Sequence, residues 1–448
     1  MNPTAAPRPG TGVAAAAPAG LYRYGLFVLF LVCTVSYFDR QIVTILAEPI
    51  KHDLHLSDTQ VGLLTGFAFG IVYCTFGVPL AQLADRFSRM GVLVASLLAW
   101  SVSTMACGIA PGFGALVAAR VGVGIGESGS IPTGLAVAAD YAPREKRASA
   151  LAFFAMGTPV GSLLGLALGG IIASAYSWRA AFFLAGIPGI LLAILILTTL
   201  RTNKGGMAPP SGGALAGTDL GLLAVLRLLR HKRTFWLVAF AAAIKAFIGF
   251  GQQPFIAAFF LRAHTAEIAH FGAQFGLKPV GIVGLVMGLL AGVCGSISTW
   301  LGGRIADHYA TRDPRALGSV PAIAALVSIP FSWAAFLAPS AFAAFAFMVP
   351  THLLNSLWFG PGLACVQGVV PRESRATASS IALFIINIAG YGLGALVVGA
   401  LSDAFQHHLS LTSAEGVRYA LLCSSLGGFV AAMLFWRARR YIGSEVLT

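Results

Sequence analysis

Apolar runs long enough to cross a bilayer recur along almost the whole chain, and that recurrence excludes most other folds. They fall at roughly 21–49, 59–83, 90–110, 113–139, 148–174 and 179–200, and again at roughly 233–262, 279–303, 317–337, 341–369, 374–403 and 417–437. A helix needs about 20 apolar residues to span the hydrocarbon core. Within lipid the backbone must satisfy its own hydrogen bonds, which single apolar runs do as helices. Only 10% of the residues are charged and the mean hydropathy is +0.82, whereas a soluble domain carries about 25% charge. The expected fold is an all-α membrane protein with twelve transmembrane helices in two bundles of six.

The formal net charge of +13 would point to nucleic acid in a soluble protein. Here the basic residues sit in short loops between spans, so no nucleic-acid partner is expected. With both termini inside, the opposite face holds only Lys51, Arg179, Arg262, Lys278 and Arg418 of the Lys and Arg residues outside the spans. This bias places both ends in the cytosol. The absence of an Asn-x-Ser/Thr sequon fits a bacterial inner (plasma) membrane. Residues 1–20, rich in Ala, Pro and Gly, are expected to be a disordered cytosolic terminus. Residues 21–200 and 233–440 form the two bundles. Between them, 201–232 is a cytosolic linker whose second half, Asp219 to Arg233, mixes leucines with basic residues and reads as an amphipathic helix. Residues 441–448 are a cytosolic tail. The six cysteines lie in apolar segments without a CxxC pair and read as small hydrophobes. His52 and His55, beside Asp53 and Asp58, read as ordinary loop residues, and no metal is expected.

The halves repeat. Residues 143–150 read PREKRASA and residues 371–378 read PRESRATA; Ala81-Gln-Leu-Ala-Asp85-Arg86 matches Gly303-Arg-Ile-Ala-Asp307-His308. Parallel six-helix repeats are the build of transporters with a site between the halves. No Walker loop and no nucleophile–base motif occurs, so the expected protein is a secondary transporter, not an enzyme, with no cofactor.

Leu83-Ala84-Asp85-Arg86-Phe87-Ser88-Arg89, with Ala81 and Ser88 where glycines are usual, resembles the loop between helices 2 and 3 of the major facilitator superfamily. Arg120 followed by Gly122, Gly124 and Gly126 resembles the helix 4 motif. Gly157-Thr-Pro159-Val-Gly161, then Gly165, Gly169 and Gly170, resembles the glycine-proline motif of antiporter branches, although such spacing also serves helix packing. Tyr37-Phe38-Asp39-Arg40-Gln41, together with Val121 to Glu127, resembles the Spinster branch. That resemblance implies transport of lysolipids and sphingoid phosphates. The first-helix motif is also similar to that of hexuronate-type organic-anion/proton symporters. The resemblance further implies a cytosolic gate in which Asp85, with Arg86 and Arg89, meets the start of helix 11 near Ser374, and Asp307 is its pseudo-symmetric counterpart.

Five charged residues are expected deep in the membrane: Asp39, Arg40, Arg120, Glu127 and Lys245. At about 1.5 Å per residue, Asp39 lies roughly 15 Å and Arg120 roughly 10 Å from the outer face. Charges at such depth cost roughly 2.5–3.5 kcal/mol even on the mildest scale and mark ion or substrate paths. Asp39 and Glu127 are the expected proton carriers, the proton being the coupling ion. Arg40 and Arg120 alternate between them and an anionic head, beside Tyr37. Lys245, Gln252 and Gln253 are expected to meet that head from the opposite wall. The alternative for the Asp–Arg cluster is a permanent ion pair that fixes helices 1 and 4. Few amides lie in the spans, and phenylalanine is plentiful. A cavity of that kind suits a small amphipathic substrate over a hexuronate. Membrane lipids are the expected surroundings and a monomer the expected state. A transport-inactive sensor is the remaining alternative.

Overall fold

The computed structural model describes residues 19–143, 146–200, 222–371 and 374–446; the side chains of residues 19–21, Asp85, Asp140, Ala148, Leu222, Leu223 and Ala376 lie outside the description. The expected disordered terminus therefore falls almost wholly outside it, as does the first part of the linker. Eleven described helices are long and apolar enough to cross a membrane, and they account for eleven of the twelve expected spans. They are α1 (Tyr22–Leu54), α2 (Asp58–Ala84), α3 (Arg89–Gly108), α5 (Ser149–Ala175), α6 (Trp178–Thr199), α7 (Arg233–Ala263), α8 (Pro279–Ala310), α9 (Ala316–Leu337), α10 (Ala341–Gly368), α11 (Thr377–His408) and α12 (Ser413–Glu445). The fourth span is present in two pieces, Phe113–Ser128 and Ser130–Tyr141, here together α4. Pro132, in the first turn of the second piece, has no N–H to continue the ladder across Ser128 and Gly129.

Hydroxyl caps set several starts. Ser57 and Thr412 make capping boxes with Gln60 and Glu415 at the heads of α2 and α12, and Ser88, Ser177 and Ser340 cap α3, α6 and α10. Each satisfies backbone donors that the helix cannot. The internal repeat reappears as geometry: a π-helical turn at Leu63–Phe67 in α2 returns at Leu290–Cys294 in α8, an offset of 290 − 63 = 227 residues. A third, Ile388–Gly394, lies in α11.

The glycines of α5 pack it onto α1. A Cβ at Gly157 would sit 2.7 Å from Cys33 Cβ, and one at Gly165 2.9 Å from Gln41 Cβ. The linker helix is seen at Leu222–Arg230. Its Val225 and Leu229 are fully buried against α7, while Arg227 and Arg230 point outward.

The halves meet at the end of the molecule that carries Leu54, Asp58 and Ala263. There α2 packs on α11, and α5 on α8; a Cβ at Gly170 would lie 2.6 Å from the Val280 carbonyl. Toward the other end the seam opens: Gly295 and Gly303 of α8 face open space, and Met156 of α5 is exposed.

Candidate functional site

Four charged side chains of α1 and α4 are buried together in the first half. Glu127 is 0% exposed, Asp39 1%, Arg120 2% and Arg40 7%. Ser36 and Arg40 are four residues apart, so they share a face of α1. That face meets α4, and both donate to Glu127 Oε2, at 3.4 and 2.5 Å. Asp39 is turned about a quarter of the helix away and accepts a hydrogen bond from Thr104 on α3. Arg120 attracts both carboxyls electrostatically and stacks over Phe69, 5.1 Å from its centroid.

Aromatic rings enclose the Arg40 guanidinium. Its Cζ lies 4.3 Å from the Tyr73 centroid, 5.1 Å from those of Tyr37 and Phe69, and 5.7 Å from that of Tyr391. Tyr391 comes from the π-helical turn of α11 and stacks on Phe250 of α7 at 4.1 Å. It is the contact through which the second half reaches this cluster. Rings hold a cation while offering few hydrogen bonds to compete for it.

The cluster is incomplete. Asp39 Oδ1, Arg40 Nη2, Arg120 Nε and Glu127 Oε1 are buried without hydrogen-bond partners among the described residues. Buried polar atoms are nearly always satisfied, so such a concentration calls for an explanation. Donors and acceptors left unspent in one place can receive a proton or a charged group.

The remaining expected site residues do not join it. Lys245 is buried within the second half and donates to Asn355 Oδ1 on α10 at 2.5 Å. Gln252 donates to the Leu421 carbonyl and to Ser424 Oγ on α12, at 3.0 and 2.8 Å. Both thus point into the second bundle, not across to Arg40; only Gln253, one residue on and half-buried, lies on a different face. The expected gate is seen in part. The Asp85 side chain lies outside the described residues, Arg86 and Asp307 are exposed, Arg89 is half-buried, and Ser374 is fully buried.

A second charged cluster, which the sequence pattern did not single out, ties the halves together. Arg262 of α7 donates to both oxygens of Glu48 on α1, at 2.7 Å each, and to both oxygens of Asp58 on α2, at 2.9 and 2.8 Å. Asp58 also accepts from Lys51 at 2.6 Å, from Ser402 at 2.6 Å and from Gln406 at 3.0 Å. Asp403 of α11 caps the start of α2, taking the backbone N–H groups of Asp58 and Thr59 at 3.0 and 2.8 Å. Besides the five charges expected deep in the spans, Glu48, Asp58 and the Arg262 side chain are buried at this end. The signal available was Glu48 and Lys51 within one helical turn of an apolar run.

The family model of the Major Facilitator Superfamily matches residues 29–391. The chain belongs to the major facilitator superfamily. It is an integral membrane transporter, not an enzyme. Among relatives, an MFS-type efflux pump of Mycolicibacterium smegmatis is 34% identical, over 92% of this chain and 91% of that protein. The hexuronate transporter of Bacillus subtilis is 26% identical, over 84% of this chain and 87% of that protein. A crystal structure of a bacterial homologue of the human lysosomal transporter Spinster, inward-facing and unoccupied, superposes with a TM-score of 0.85 at 28% identity. It covers 96% of this chain and 100% of that one.

Proposed function

We propose that this superfamily member is a proton-coupled transporter of an amphipathic, lipid-like substrate with an anionic or zwitterionic head. It works by alternating access in a bacterial inner membrane, with both termini in the cytosol. The observation that carries the reading is the unfinished charge cluster, in which two carboxyls and two guanidiniums keep unpaired atoms in a buried site. A carboxylate beside a guanidinium holds its proton weakly, and one deprived of that partner holds it strongly. Arg40 leaves Glu127 when it takes an anionic head, so head binding and proton binding at Glu127 and Asp39 become linked. The Arg40 ring cage couples this exchange to the second half through Tyr391. The likeness to an inward-facing Spinster homologue supports an alternating-access cycle for this chain, whose halves pack at one end and open at the other.

The lipid reading rests on the Spinster likeness and on the aromatic lining around Arg40. The relative that transports hexuronate favours a second reading, a hexuronate-type organic-anion/proton symporter. Purified protein in proteoliposomes separates them. Lysophospholipid flux should respond to a pH gradient, and excess hexuronate should leave it unchanged. Competition by hexuronate and none by lysophospholipid would reverse the assignment, and no flux of either would favour a sensor. Asp39→Asn should cut the gradient-driven flux about a hundredfold, the low end of what positioned proton transfer contributes. Unchanged gradient dependence in that variant removes Asp39 from coupling.

A further inference from the structure

Lys245 is a buried cation without a counter-charge. It is 2% exposed, and among the described residues it makes one hydrogen bond, to Asn355 Oδ1, and no ion pair. Arg40 and Arg262, by contrast, each hold a carboxylate, and the buried Arg120 lies near two. Beside Lys245 is a void of about 20 Å³. Gln252, Ser328, Ser332, Thr351, Asn355 and Ser425 supply its polar wall, from α7, α9, α10 and α12. All belong to the second half, so this pocket is separate from the Arg40 cluster and from the substrate reading above.

We infer that the void is a binding site for a monatomic anion of halide size, held on Lys245 Nζ. Charge gives the sign. An ammonium taken out of water either gives up its proton or is kept beside an opposite charge, and an anion on Nζ favours the charged form. One amide oxygen does not supply that charge, and a water molecule would satisfy a donor while leaving the charge in place. Size gives the class. A single water needs roughly 10–15 Å³ of such space, so this void has room for one particle of that order and fits it better than a phosphate or carboxylate head. The wall provides the donors. Ser328, Ser332, Thr351 and Ser425 each donate to a carbonyl of their own helix, at 2.8, 2.8, 2.9 and 2.6 Å. A hydroxyl turns about one bond, so each can redirect its hydrogen toward an anion. Asn355 gives its oxygen to Lys245, and its amide nitrogen makes no hydrogen bond among the described residues. Thr351 and Asn355 are half-buried, while Lys245 is buried.

Bromide tests this with the full chain in detergent, gluconate serving as the bulky control anion. Crystals grown in bromide should show an anomalous peak at hydrogen-bonding distance from Lys245 Nζ. Bromide should also raise the melting temperature above that in gluconate. Lys245→Met should weaken bromide binding roughly thirtyfold or more, as expected when one partner of a buried charged contact is removed. Asn355→Asp gives the ammonium a built-in carboxylate. That variant should fold, melt higher in gluconate than the natural protein does, and lose its response to bromide. An absent anomalous peak in the natural protein would overturn the site. So would an equal bromide response in the natural protein and in Asn355→Asp, which remains informative even if Lys245→Met does not fold.

Discussion

The two charged clusters on this fold are built from the same side chains and finished differently. At the end where the halves meet, Arg262 spends its guanidinium on Glu48 and Asp58, and Asp403 spends its carboxylate on the head of α2. None of those four residues keeps a buried polar atom without a partner. Deeper in the first half, Arg40 and Glu127 share one short contact and each keeps an unpaired atom, as do Asp39 and Arg120. A satisfied network in low dielectric is rigid and specifies one arrangement. An unsatisfied one is poised to accept something. The first cluster also joins distant segments, since Asp58 and Asp403 are 345 residues apart at the capping bond. The second lies within one half and is touched from the other by Tyr391. We therefore read the outer cluster as the latch that holds the halves closed at that end, and the inner one as the working site.

Removing a cation should separate them most sharply at the inner site. Arg40→Ala leaves Glu127 buried without its counter-charge, and breaking a buried pair this way costs about 3–5 kcal/mol. We expect a marked drop in melting temperature at neutral pH and loss of transport. The double variant Arg40→Ala with Glu127→Gln should recover most of the stability and none of the transport, because it removes the stranded charge along with the exchange partner. If the double variant regains transport, the pair is structural and the working-site reading fails.

The inner cluster could be located from sequence because charge is conspicuous in an apolar run: Asp39, Arg40, Arg120 and Glu127 stand out in spans with almost no other ionisable group. Their pairing was less legible. That Arg40 and not Arg120 holds Glu127 depends on how α1 and α4 are rotated about their axes. Lys245 and Gln252 illustrate the same limit. They are seven residues apart and so share a face, but α7 is apolar nearly all round, and nothing in its pattern distinguishes the face toward α11 from that toward α12. The outer latch was hidden for another reason. Charges at span ends are the normal condition of a membrane helix, and the fact that Arg262 closes on Glu48, 214 residues earlier, belongs to the tertiary fold alone. The break in α4 was available from Pro132, which the apolar count overrode.

At the latch, Arg262→Met should act on the balance between conformations more than on folding. It removes one cation from two carboxylates, a loss of about 2–5 kcal/mol for a buried charged contact, and that loss falls only on the state in which the halves touch there. Spin labels on cysteines replacing His55 and His270, both exposed beside this end, should report longer and broader distances in the variant. An unchanged distance distribution would mean that the apolar packing of α2 on α11 and of α5 on α8 suffices to close this end, and that the ion pairs are incidental to it.

Asp403→Asn should make the smallest difference and the most specific one. The carboxylate caps α2 from the other half, accepting two backbone N–H groups and the Thr59 hydroxyl at 2.6 Å. An amide offers one acceptor oxygen in place of two, so part of the cap is lost, along with the attraction of a negative charge to a helix start. The expected cost is about 0.5–2 kcal/mol. Because the cap exists only while α2 and α11 are in register, that cost should appear as a modest shift of the same label distances in the direction Arg262→Met produces. Adding it to Arg262→Met should give less than the sum of the two shifts, since both act through Asp58 and neighbours in one network do not add independently. Full additivity would show that the cap and the guanidinium bridge are separate fastenings, and the outer cluster would then be two contacts that happen to lie side by side.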